Sequence, residues 1–283
     1  MIVVGLFLLG IVCGFVIHRY SDIYPSLLAK DGIDTAVAYL KEEHILNDEF
    51  EPTNKFTSPQ HRFFKRDDEF NPSIKNNLPI IWYFFGSKVN KKSICGLLIE
   101  LITGVGLVYL YNHIGQINLD FIFLSLFWLW GITVSLLDMK TTYITDNFSY
   151  PLILFAFGAP IFGYSLGFSY EEIAKAMLPF VVLYIVFMRL PVLLLGGGDI
   201  KILIGFAGLF GLTSTVVATL LTPFFFFAYY LAIWIKDKIS RKESDVKFNK
   251  ALPAGPFFII AMFAVLWYQQ INPAFFELIK ISY

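Results

Sequence analysis

The sequence predicts an all-α polytopic membrane protein with about eight transmembrane helices and one cytoplasmic loop domain after the first of them. Three observations carry this. Of its 283 residues 57% are hydrophobic, 31 being phenylalanine, and the mean hydropathy is +0.64, more apolar surface than one soluble domain of this length buries. Runs long enough to cross a hydrocarbon core, which takes about 20 residues of helix, recur along the chain. Lysine and arginine collect in alternate connections, as they do on the cytoplasmic side of a bilayer. The formal net charge is zero, so no overall field draws the chain to nucleic acid, and no nucleic-acid partner is expected.

The first element, "MIVVGLFLLGIVCGFVI" over 1–17, has no basic residue ahead of its apolar run and meets His18 and Arg19 only afterwards. That is the reverse of a cleavable secretory signal, and it predicts a retained anchor with its N-terminus outside. Residues 18–93 form the loop domain. Asp34 opens a stretch of helical apolar spacing that predicts a short amphipathic helix; 48–78, with Pro52, Pro59 and Pro72, reads as irregular chain; "LPIIWYFFG" carries aromatics suited to the membrane interface. The remaining spans, 94–112, 118–137, 149–167, 175–195, 200–212, 214–235 and 252–270, make 94–283 a seven-helix membrane core. Ile200 to Ile235 must hold two crossings, with a re-entrant pair as the competing reading.

The loops test this count. Eleven basic residues lie in 18–93 and six in 236–251, whereas the connections placed outside hold only Lys175. With eight spans both basic loops are cytoplasmic; seven would put the second on the wrong side. Cys13 and Cys95 sit in or beside apolar runs and are read as inert thiols, and His18, His44, His61 and His113 are too scattered to suggest a metal centre.

A carboxylate at membrane depth costs about 2.5 to 3.5 kcal/mol on insertion scales, so one that persists is a functional candidate. "SLLDMKTTYITDNFSYP" places Asp138 at the end of the third span and Asp146 ahead of the fourth. "LLLGGGDIK" places Asp199 after Gly196, Gly197 and Gly198, near the first turn of the sixth. The topology sets Asp138 and Asp199 at one membrane boundary. Two aspartates sharing a site cannot both ionise cheaply, so one keeps its proton: a base to activate water and an acid to protonate the carbonyl or leaving amine. The glycines admit positive φ and close backbone approach, and the helix start favours the Asp199 charge. Simpler roles stand beside these. Asp146 is read as a helix cap, "GGGD" as a tight connection, and Lys140 and Lys201, each two residues after an aspartate, as side chains reaching to the headgroups. Gly205, Gly208 and Gly211 are read as helix packing. A proton-relaying, ion-coupled transporter is the alternative function, and a scaffold whose basic loop docks a partner or anionic lipid is a third.

The residues "GGGDIK" and "LLDMKTTYITD" resemble the type IV prepilin peptidases, bacterial GxGD aspartic proteases of the inner membrane. "GFVIHR" at 14–19, "NNLPIIWYFFG" at 76–86, "IELITG" at 99–104 and "LPAGPFF" at 252–258 are similar to further landmarks of that family, in its order. The resemblance implies a catalytic dyad of Asp138 and Asp199, with Gly196 and Gly198 as the glycines of GxGD and Gly197 between them. It aligns Asp146 with the second acid of the first motif, outside the dyad, and Glu100 with a family glutamate, either site-shaping or a structural hydrogen-bond partner. Lys201 is taken with the site-shaping residues. The implied reaction cuts the basic leader of a prepilin or pseudopilin after a glycine, at the cytoplasmic face of the inner membrane, with the N-terminus periplasmic. Many members carry two Cys-x-x-Cys pairs that bind zinc, and also N-methylate the product. "SPQHRFFK" and "GSKVNKKSI" stand where those pairs belong and hold no cysteine, so zinc is not expected. Proteolysis implies no cofactor; S-adenosylmethionine is implied only if the methyltransferase activity is retained. The oligomeric state is not readable from these residues.

Overall fold

The computed structural model describes residues 1–30, 91–144, 146–161, 168–189, 197–239 and 253–271. Among these every regular element is a helix: α1 (Ile2–Lys30), α2 (Lys91–Ile114), α3 (Leu119–Thr141), α4 (Asp146–Gly158), α5 (Tyr170–Arg189), α6 (Gly197–Ile239) and α7 (Gly255–Ile271). Among the described residues four stretches are long and apolar enough to cross a bilayer: Ile2–Asp22, Cys95–Ile114, Leu119–Thr141 and Gly197–Ala232. The predicted helix after Asp34, residues 31–90 of the first basic loop and the aromatic segment before Gly86 lie outside the described residues.

Two compact units divide the described chain, Met1–Thr141 and Thr142–Tyr283. In the first, α1 lies along α2 through glycines. A Cβ on Gly10 would stand 2.5 Å from the Cα of Gly104, and one on Gly14 would stand 2.7 Å from the Cα of Glu100. Small residues at four-residue spacing let two membrane helices come together this closely. The same contacts show α1 and α2 running in opposite directions, since 10 faces 104 while 14 faces 100. Helices α2 and α3 are also antiparallel: a Cβ on Gly106 would strike the Trp128 ring, and Tyr111 meets Phe121 edge-on at 6.0 Å. Direction thus alternates along the first three helices, as successive crossings require.

Helix starts follow their capping residues. The Asn118 Oδ1 accepts the Phe121 N–H at 2.9 Å ahead of α3. Before α5, the Ser169 Oγ accepts the Glu172 N–H at 3.3 Å while the Glu172 carboxylate accepts the Ser169 N–H at 2.8 Å, a reciprocal capping box. Helix α1 continues to Lys30, past the end expected at 17, because its polar turn finds internal partners: Ser21 donates to the His18 carbonyl at 2.7 Å and is fully buried.

In the second unit α6 is the central element, packed against α4, α5 and α7. Its first part is buried on every side, from Ile202 to Leu212, as a helix surrounded by protein must be. A Cβ on Gly205 would lie 2.6 Å from Leu152 Cγ, and one on Gly208 would lie 2.7 Å from the Ala156 Cβ and 3.0 Å from Met177 Sδ. These two glycines are packing positions, as expected. Gly211 is not. Its φ of 83° and ψ of 163° break α6 into two helical segments, a conformation that only glycine holds cheaply. The break falls near the end of the 200–212 stretch, two residues before the division at 213 expected from sequence. At 1.5 Å per residue the segment before it is only about 21 Å long, short of the ~30 Å core. The second segment packs antiparallel to α7, with Ser214 hydrogen-bonded to Gln269 at 3.3 Å and Phe226 against Phe257 at 5.3 Å.

Candidate active site

The chemistry-bearing residues fall at helix ends. Asp138 lies in the last turns of α3, in the first unit, and is only 4% exposed. One residue before it is the fully buried Leu137, whose carbonyl accepts the Thr141 hydroxyl at 2.8 Å. The helix stops there because Thr142 takes a left-handed φ of 51°, the conformation that commonly closes a helix. Asp199 belongs to the second unit and stands in the first turn of α6, half-buried, on the residue before the fully buried Ile200. There the unsatisfied N–H groups of the helix start favour negative charge, as the sequence predicts.

Gly196 lies outside the described residues. Gly197 and Gly198 are helical, and among the described residues only Gly115 and Gly211 have a glycine's positive φ. The expectation that the glycines supply left-handed backbone is therefore corrected at Gly197 and Gly198. The other half of that reasoning holds at Gly198: a Cβ there would sit 3.0 Å from the carbonyl oxygen of Ile144. The missing side chain lets the strand of chain before α4 lie directly on the start of α6.

Asp146 opens α4, and its Oδ1 accepts a hydrogen bond and ion pair from Lys201 Nζ. The same ammonium lies over the rings of Tyr150 at 4.9 Å and Tyr184 at 5.4 Å, favourable positions for a cation. In the first unit Lys140 Nζ donates to Asp22 Oδ1 at 2.7 Å and to Ser21 Oγ at 2.8 Å. Both lysines were expected to reach toward headgroups; instead each is held by an aspartate of a neighbouring helix. Membrane packing brings those acids within reach, and a paired ammonium loses less on leaving water than a bare one. Asp22, Ser21, Tyr150 and Tyr184 carry no signal in the sequence reading, except that Asp22 is an acid just past an apolar run.

Glu100 is completely buried in α2, opposite Gly14 of α1. Thr103, one turn on, donates to the Ile99 carbonyl at 2.6 Å. Among the described residues no group of three or more His, Cys, Asp or Glu side chains converges as metal ligands would. A groove of about 370 Å³ runs between α4, α5 and α6, walled by Ile153, Met177, Leu178 and Ile204, with Lys201 and Tyr184 among its lining residues.

The chain has no match among curated proteins and none among solved structures. Residues 124–232 match the model of the type IV leader peptidase family. That span contains Asp138, Asp146 and Asp199 and runs from within α3 to within α6. Over that segment, which holds both Asp-x-Lys stretches and includes helices of membrane-crossing length, the chain is similar to the type IV leader peptidase family.

Proposed function

We propose that this chain is an aspartic endopeptidase of the bacterial inner membrane that removes the basic leader of type IV prepilins or pseudopilins after a glycine, using Asp138 and Asp199. The observation that carries the proposal is the leader-peptidase match, which spans both aspartates. Their settings support it. One carboxyl is almost wholly withdrawn from solvent and the other stands at a helix N-terminus, a difference that favours unequal sharing of one proton. The charged member takes a proton from water as it attacks the scissile carbonyl. The protonated member donates to the carbonyl oxygen and, on collapse, a proton reaches the departing amine.

The basic leader would stay on the cytoplasmic side while the apolar helix behind it lies in the bilayer. Hydrolysis by this pair needs only water, and neither zinc nor S-adenosylmethionine enters it. Methylation of the new N-terminus is a separate activity, kept as an outcome to be measured.

The test is mass spectrometry of a prepilin incubated with the purified protein, with and without S-adenosylmethionine. The wild type is expected to release the leader, and D138N and D199N each to lose about 10²- to 10⁴-fold in rate, the usual worth of general acid–base catalysis, while still inserting in the membrane. Unchanged cleavage by either variant would refute the dyad. A wild-type protein that leaves prepilin intact but moves protons across vesicles would favour the transporter instead.

A further inference from the structure

We propose that Lys140 and Lys201 are positioning residues, each clamping the helix end that carries its aspartate to a neighbouring helix, and that Asp22 and Asp146 are the fixed ends of the two clamps. The inference rests on the peptidase reading above and adds to it a role for four charged residues outside the dyad.

The two aspartate-bearing helix ends, one in each unit, repeat one local arrangement. Asp138 is followed two residues later by Lys140, and Asp199 two residues later by Lys201. Residues two apart on an α-helix differ by about 200° around its axis, so they point to nearly opposite sides and do not meet. Each lysine therefore faces away from its own aspartate, and each has found another acid there. On α3, Lys140 reaches Asp22 at 2.7 Å and Ser21 at 2.8 Å on α1. On α6, Lys201 reaches Asp146 at the start of α4, flanked by the Tyr150 and Tyr184 rings. The first clamp is backed by Ser21 bonding the His18 carbonyl. The second is backed by the close seat of Gly198 on the Ile144 carbonyl. Both ammonium groups are committed to these partners, on the far side of the helix from the reacting carboxyls, so their contribution is orientation.

Catalysis by paired carboxyls is sensitive to placement, and a shift of about 1 Å can cost about 10²-fold. Removing a clamp should therefore lower kcat and leave KM nearly as it was, because leader binding is untouched. The experiment measures prepilin cleavage by the full-length protein in detergent, over a range of substrate and pH. K140M and K201M are expected to lose about 10- to 100-fold in kcat, with the limbs of the pH profile unmoved. K140R and K201R should recover most of the rate. D22N and D146N should match the lysine losses, and the exchanged pairs D22K/K140D and D146K/K201D should exceed their single variants. If a methionine variant does not purify folded, the exchanged pair decides: regained folding and cleavage support the clamp, and no regain overturns it.

The proposal also falls if K140M and K201M keep wild-type kcat, or if their pH limbs move, which would mean that the ammonium groups act on the dyad directly. D138N and D199N separate the two levels. If those variants cleave normally the dyad fails, and the clamps with it. If they are inactive while K140M and K201M are fully active, the dyad stands and the clamps fail.

Discussion

A single methyl group added at Gly198 would meet the Ile144 carbonyl oxygen at 3.0 Å, and that contact explains this glycine better than any need for unusual torsion. Within a helix alanine is otherwise the better residue, by up to about 1 kcal/mol in the interior. G198A is therefore expected to leave the melting temperature in detergent almost unchanged while slowing prepilin cleavage about tenfold, because the turn bearing Asp199 must move off its seat. Equal loss of melting temperature and rate would point to a purely structural glycine. Asp146 shows the same shift from a local to a tertiary explanation. Its place ahead of α4 was legible as a cap, yet its carboxylate is spent on Lys201, a residue 55 positions away. The pair is weak as a source of stability: Asp146 is 54% exposed, and such pairs contribute about 0.2 to 1 kcal/mol. Its consequence is geometric.

Glycine does three different things within the helices, and only packing distinguishes them. Along α1, Gly10 and Gly14 admit α2, whereas a Cβ on Gly5 would meet nothing within 4 Å. G10V should lower the melting midpoint clearly and G5V should not, a comparison that isolates the helix contact from glycine content. Along α6, Gly205 and Gly208 admit Leu152, Ala156 and Met177, while three residues further on Gly211 ends the segment. G211A forces an L side chain into a region that costs about 1 to 3 kcal/mol, and thermal unfolding should show a loss of that order. The three-residue spacing made all of these look like one packing stripe. It could not separate them, because a sequence records the absent side chain and says nothing of the backbone torsion or of the neighbour that uses the space. Capping is local by contrast: Asn118 and the Ser169–Glu172 box act through bonds to residues three away.

For the whole molecule, the peptidase reading requires Asp138 and Asp199 to serve one substrate. In a protein with Cys13 and Cys95 replaced by serine, D138C/D199C is expected to link through a short bifunctional thiol reagent within the membrane. The control D138C/T219C is expected not to link. Failure of the first pair under conditions where the protein is folded would remove the shared site. The sequence by itself determined that the chain is helical with apolar runs of membrane-crossing length, and it singled out Asp138 and Asp199 as the candidate pair. Composition, run length and short motifs are local quantities, and the bilayer reads them locally. Tertiary structure alone decided that Lys140 turns to Asp22, that Lys201 turns to Asp146, and that Gly211 divides α6. Partners more than fifty residues apart are chosen by which helix faces come to lie together, and that choice is made by packing after each helix has formed.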